Sequence, residues 1–218
     1  MAILAVNPTR MELSNLKKKL TVARRGYKLL KDKCDELMRQ FLLLTKENRS
    51  LRIEVEEGIN RAYKSMVIAR SVMKDEEVNS ALMMPKQEIY IEKREKNVMS
   101  VLIPEFDVKF KTDNQSDMFS YGYAFTSGAL DDAVNEYFNI LPKMLKLAEV
   151  EKGCQLLSEE IEKTRRRVNA LEHVIIPQYE ETIKYIRMKL EENERGNITR
   201  LMKVKEMVLD KAHGYNKG

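Results

Sequence analysis

Histidine and cysteine, two of each, are scarce in this chain, and its many carboxylates form none of the familiar catalytic motifs. The two histidines, His173 and His213, belong to no HExxH pair and stand far apart in the sequence. A helical zinc site needs two imidazoles on one face. No GxxxxGK[ST], GxSxG or GxGxxG is present, so no phosphate loop or nucleophile elbow is encoded. The carboxylate pairs Glu56–Glu57 and Glu191–Glu192 are adjacent on solvated helix faces. Cys34 and Cys154 lack CxxC spacing and read as free thiols of a reducing, cytoplasmic compartment. The expectation is a non-catalytic chain with no cofactor and no metal.

What remains is recognition by charge. Residues 10–33 hold nine Lys or Arg, among them Lys17, Lys18, Lys19, Arg24 and Arg25, against only Glu12 and Asp32. A second cluster, Arg165, Arg166 and Arg167, interrupts a long helical pattern. These eight cations are the candidate partner-binding residues, since guanidinium groups favour carboxylates and other planar anions. The net charge of +5 does not itself choose among nucleic acid, anionic lipid and an acidic protein surface.

The elements that position these cations are two helical seams. From Leu13, apolar residues recur at Leu16, Leu20, Ala23, Tyr27, Leu30, Cys34, Leu37, Phe41, Leu44, Leu51 and Val55 in alternating steps of three and four, with Asn48 in the same row. The row continues at Ile59, Ala62, Met66, Ala69 and Met73, and two successive steps of four at 51, 55 and 59 form one stutter. A helix from about 9 to about 80 would be about 105 Å long. The second seam runs through Cys154, Leu157, Ile161, Thr164, Val168, Leu171 and Ile175. After Pro177 it resumes at Tyr179, Ile183, Ile186 and Leu190, then continues more loosely through Ile198, Leu201, Val204 and Val208. Because Thr164 and Val168 lie on the seam, Arg165, Arg166 and Arg167 fan over about 200° of the opposite surface at about 100° per residue. Pro177 cannot bond the carbonyl of His173, so it marks a bend or local unwinding with helix on both sides.

Between the seams, Ile89 and Ile91, Val101 and Ile103, then Phe106, Val108 and Phe110 alternate at period two, as half-buried strands do. Residues 113–116 and 122–128 read as turn and loop, and helix resumes near Ala129 with Pro142 as another irregularity. The expected fold is mainly α: a long antiparallel intramolecular two-helix coiled coil with a small β-hairpin knob between the helices. Its parts are an N-terminal helix over 1–80, a strand-containing knob over 81–128, and a C-terminal helix with a flexible end over 129–218. Matching stripe lengths predict facing residue numbers that sum to about 220, with Leu13 near Val208. No stretch reaches the roughly 20 apolar residues of a membrane span, and MAILAV is too short for a signal-peptide core.

NPTRMELSNLKKKL, GYKLLKDKCDELMRQF and KTRRRVNALEHVIIPQYEETIKYIRMKLEENERGNITRLMKVK resemble the D subunit of the V/A-type rotary ATPases. NVMSVLIP and the Tyr121–Gly122 segment are similar too. The resemblance implies a central-stalk rotor turning inside the hexamer of catalytic A and B subunits. It also implies contacts with a smaller stalk protein, the F subunit, and with a funnel-shaped subunit leading to the membrane ion-translocating ring. The complex would lie on the cytoplasmic face of the membrane, with no direct membrane insertion and no nucleic acid. Two other classes fit a coiled coil. A prefoldin-like chaperone would need exposed apolar residues at the terminal end, where this sequence is basic. A nucleic-acid-binding coiled coil would need a recognition module, which is missing.

Overall fold

The computed structural model describes residues 4–112, 115–122 and 126–215, excepting side chains at 115, 116 and beyond 209. The expected turn at 113–116 and loop at 122–128 fall partly outside these residues; a short 3-10 turn occupies Gln115–Met118. The elements in order are α1 (Arg10–Val72), α2 (Asp75–Leu82), β1 (Ile89–Val98), β2 (Val101–Phe110), α3 (Gly128–Ala170), a π-helical turn (Leu171–Ile175) and α4 (Ile176–Tyr215). The fold is mainly α, with long helices and one antiparallel hairpin. By contacts the chain divides into two compact units, Met1–Cys34 with Lys163–Gly218, and Asp35–Glu162.

In the first unit, α1 and α4 run antiparallel. Arg10 pairs with Glu194 and Arg24 with Glu180, so fourteen residues forward on one helix match fourteen backward on the other. Leu16, Thr164, Val168, Thr182 and Ile186 are its buried seam residues. The Thr182 hydroxyl donates to the Gln178 carbonyl at 2.6 Å and accepts the Leu4 N–H at 3.2 Å, which ties the segment before α1 to α4. After Pro177 it is Thr182, and not Ile183, that is fully buried. The π turn lies just before the proline, where the Ile176 N–H bonds the Leu171 carbonyl five residues back. Pro177 has no N–H to offer His173, and a widened turn accommodates the change of bonding without ending the helix.

In the second unit, α1 and α3 are also antiparallel: Glu47, Glu54 and Arg61 meet Lys146, Lys143 and Glu136 in turn. The helices approach closely at Gly58, where a Cβ would lie 1.9 Å from Ile140 Cδ1. Ala69, Met73, Val78 and Leu130 form a buried cluster where α1 ends. Helix α3 runs through Pro142 without a break. The hairpin turns at Met99 and Ser100, both at positive φ, 50° and 75°, with the Asn97 side-chain oxygen accepting the Ser100 N–H at 2.9 Å. Positive φ at both central positions is the turn geometry that matches strand twist. Strand β2 faces α3: Glu149 accepts the Phe106 N–H at 3.1 Å, Phe110 and Phe138 rings lie 5.2 Å apart, and Ile103 sits over Gly153. Strand β1 is largely exposed, including Ile91, which the alternation placed in a half-buried row.

Two expectations are corrected. The first helix does not reach 80; it stops at Val72, and α2 restarts after an extended Lys74. Asp75, Glu76 and Glu77 place negative charge at the α2 N-terminus, where the helix dipole favours it, and Glu77 accepts the Lys74 N–H at 3.3 Å. The pairing register also differs. Ion pairs between the helices of the first unit join residues whose numbers sum to 204, and those between the helices of the second sum to 193–197, well below 220. Leu13 does not meet Val208, which is 60% exposed, and Ile198, Leu201, Met202, Val204, Met207 and Leu209 are exposed with it.

Candidate partner-binding surface

The candidate cations of the first unit stand on faces turned away from its seam. On α1, Lys17, Lys18 and Lys19 follow buried Leu16 directly and are exposed, as are Arg24 and Arg25 one to two turns on. On α3, Arg165, Arg166 and Arg167 are all exposed between Thr164 and Val168, which are 1% and 8% exposed. Burial of positions 164 and 168 leaves Arg166 on the opposite side of the helix and Arg165 and Arg167 at its flanks.

These charges are not equally available. Arg24 already donates to Glu180 at 2.7 Å, a partner 156 residues away that no local pattern reveals. Arg166 has an interaction of its own. Among the described residues, Lys17, Lys18, Lys19, Arg25, Arg165 and Arg167 make no ion pair. The surface available to an acidic partner is therefore these six side chains. Thr164, at the foot of the arginine cluster, is buried with its hydroxyl lacking a hydrogen-bond partner. Burying an unpaired hydroxyl has a cost, so the seam here is less stable than an apolar residue would make it.

Nothing else in the described residues assembles a reaction site. No group of three His, Cys, Asp or Glu is placed to hold a metal among them, and no described helix is long and apolar enough to cross a membrane. His173 is exposed in the π turn, and the side chain of His213 lies outside the described residues. A groove of about 390 Å³ between β2 and the helices of the second unit is lined by Leu43, Leu44, Val98 and Ile103. Its charged groups are engaged with each other: Lys96 with Glu105 at 3.2 Å, Lys146 with Glu47 at 3.7 Å, and Glu149 with the Phe106 N–H. A small-molecule site needs convergent polar groups that remain free. Burial pushes the Cys154 thiol up, which makes it a poor nucleophile.

The exposed apolar row on α4, from Ile198 to Leu209, is a surface feature that periodicity hides, because the same spacing describes a buried seam. It also means that the terminal unit carries both bare cations and bare apolar side chains, so exposed apolar residues do not separate a shaft from a chaperone.

Comparison with known proteins resolves the family. Residues 12–206 match the family described as the D subunit of ATP synthase. The chain is 58% identical to the D subunit of the V-type ATP synthase of Acetivibrio thermocellus, over 99% of this chain and 97% of that protein. It is 60% identical to the protein of that name from Clostridioides difficile, covering 97% and 95%. With Clostridium novyi the identity is 59%, covering 95% and 97%. A helical chain with bare cations and no catalytic constellation among its described residues, matched along almost its whole length, belongs to the ATP synthase D-subunit family.

Proposed function

We propose that this chain is the central rotor shaft of a V/A-type ATPase. It transmits torque between the catalytic A/B hexamer, which makes or hydrolyses ATP, and the membrane ion-translocating ring. Its partners are the A and B subunits, the small F subunit of the stalk, and the funnel-shaped subunit that joins stalk to ring. It performs no catalysis and sits peripherally at the cytoplasmic face. The observation that carries this reading is the first unit's arrangement: a paired helical core with exposed cations that its own carboxylates leave unmatched.

A shaft must resist twisting, which antiparallel helices braced along a seam provide. It must also turn, so its contacts with a surrounding ring must form and break within a turnover. Partly exposed ion pairs, worth roughly 0–1 kcal/mol each, meet that need better than one large apolar interface. Lys17, Lys18, Lys19, Arg25, Arg165 and Arg167 are the residues assigned to carboxylates on the ring, and Arg24 and Arg166 join them only by exchanging the partners they already have. The stutter near Val55 and the π turn beside Pro177 supply places where the shaft bends to present different faces to successive ring sites.

Reversal of Arg165, Arg166 and Arg167 to Glu tests this. Thr164, Val168 and Leu171 are untouched, so helicity of the free chain is expected to stay at its original level. ATP turnover of the complex reconstituted from the A, B and F subunits and this chain is expected to fall by roughly an order of magnitude, with a loss that depends on ionic strength. Full turnover with unchanged helicity would make these arginines a solvated face and nothing more.

A further inference from the structure

The residues ahead of α1 fold back over the helix pair of the first unit. Arg10, at the start of α1, pairs with Glu194, yet the Leu4 N–H reaches the Thr182 hydroxyl at 3.2 Å. With Arg24 on Glu180, Thr182 stands level with the neighbourhood of Val22, about 18 Å along the pair from Arg10. The chain from Leu4 to Arg10 reaches about 20 Å at full extension, so it must run back along the helices to make this bond. Leu4 and Val6 are half-buried while Ala5 and Asn7 are exposed, the alternation of an extended chain with one side against a surface. The reversal is held at Pro8–Thr9, where the Thr9 hydroxyl accepts the Glu12 N–H at 3.2 Å and the Thr9 N–H bonds the Asn7 carbonyl at 2.9 Å.

This strap is fastened where α4 is least supported by its own backbone. The π turn occupies Leu171–Ile175, and Pro177 contributes no N–H. Thr182 gives its hydroxyl proton to the Gln178 carbonyl at 2.6 Å, a back-bond that competes with the bonding of the helix itself. Thr182 is nonetheless only 1% exposed, and its oxygen has the Leu4 N–H as a partner. Thr164, the other buried threonine of this unit, has a hydroxyl with none. The strap therefore adds a hydrogen bond and two half-buried apolar side chains just beyond the irregular turn. So few contacts make a weak attachment, one that forms and breaks without unfolding the helices.

We propose that residues 4–9 are a releasable strap: docked, they hold α4 against α1 just beyond the π turn, and lifted, they free that part of α4 to bend or to part from α1. The π turn sets where the helix pair flexes, and the strap sets whether it does. The device belongs to the chain itself and does not rest on the stalk reading.

Native-state hydrogen exchange of the full chain, read by mass spectrometry, tests the strap. Leu4→Pro removes the N–H that bonds Thr182, and Val6→Asp places a charge on the docked side; neither alters a helical residue. Each is expected to speed exchange of the α4 amides at 178–190 at least about fivefold, while residues 163–168, ahead of the π turn, exchange as before. In a Thr182→Val background, which keeps the side-chain volume and removes the acceptor, the effect of Leu4→Pro is expected to shrink to less than about twofold. In a Thr164→Val background it is expected to remain in full. Unaltered exchange at 178–190 in both strap variants overturns the proposal. A rise spread evenly over 163–190 overturns it too, since that marks a general loss of stability. So does a Leu4→Pro effect that survives in full beside Thr182→Val, which would place the attachment elsewhere.

Discussion

The two compact units of this chain differ in how many ion pairs join their elements. In the second, the carboxylates Glu47, Glu54, Glu88, Glu92, Glu105, Asp107 and Glu136 each face a Lys or Arg, across the helix pair or across the hairpin. In the first, Arg10 and Arg24 are paired across the helices, while Lys17, Lys18, Lys19, Arg25, Arg165 and Arg167 meet no carboxylate among the described residues. Exposed pairs stabilise a fold only slightly, so those of the second unit act mainly to select one register among several that a heptad pattern permits. The first unit leaves its charges for something outside itself. Packing differs in the same sense: the second unit contains the near-contact at Gly58 and the buried cluster around Leu130, whereas the first buries two threonines within its seam.

Glycine substitutions break this contrast most sharply. Gly58→Leu drives a side chain into Ile140 and is expected to cost about 1–3 kcal/mol. Gly26, in the first unit, has nothing within 4 Å of a would-be Cβ. Gly26→Ala is expected to stabilise by about 0.5–1 kcal/mol through helix propensity alone. Thermal or urea unfolding followed by circular dichroism separates the two, and equal effects would erase the distinction in packing.

A smaller effect is expected from acid. The Lys109 ammonium holds the Glu92 carboxyl below its usual range, and the Tyr90 hydroxyl with Lys111 does the same for Glu88. A depressed folded-state value means that the stabilisation is present above the unfolded carboxylate pKa of about 4.3 and is lost as pH falls through the lower folded value. Both groups are on the hairpin surface, so the loss is slight and local. Chemical shifts of hairpin amides, titrated from pH 6 to pH 2, are expected to change together with Glu92 and Glu88. A hairpin unaltered while both carboxyls protonate would show that its ladder does not depend on these pairs.

Much of the fold is legible in the sequence for a physical reason: burying one stripe of a helix imposes a period, and Leu16, Leu37, Val55, Ala62 and Leu157 obey it. Register is not legible, because sliding one heptad past another reproduces the same pattern, and the partners that distinguish one register, such as Glu54 with Lys143, lie far apart in the sequence. The end of α1 is masked by the same regularity, since Met73 is in phase with the seam it terminates. The turn at Met99–Ser100 lacks the Asn-Gly or Asp-Gly signal of its type and depends instead on the Asn97 side chain. Of the candidate site, the sequence displays the positions of the cations but not which are already neutralised; Arg24 meets Glu180 only after the chain has folded back.

The central claim is that this chain turns relative to its surroundings during ATP turnover. Its direct test is a reversible covalent lock. Arg166→Cys, in a chain whose Cys34 and Cys154 are replaced by Ser, would be oxidised to a cysteine placed on an inward-facing loop of a ring subunit in the reconstituted complex. The account predicts that ATP turnover stops on formation of the cross-link and returns on reduction, in proportion to the fraction linked. Turnover continuing at its original rate in fully cross-linked complexes would contradict it.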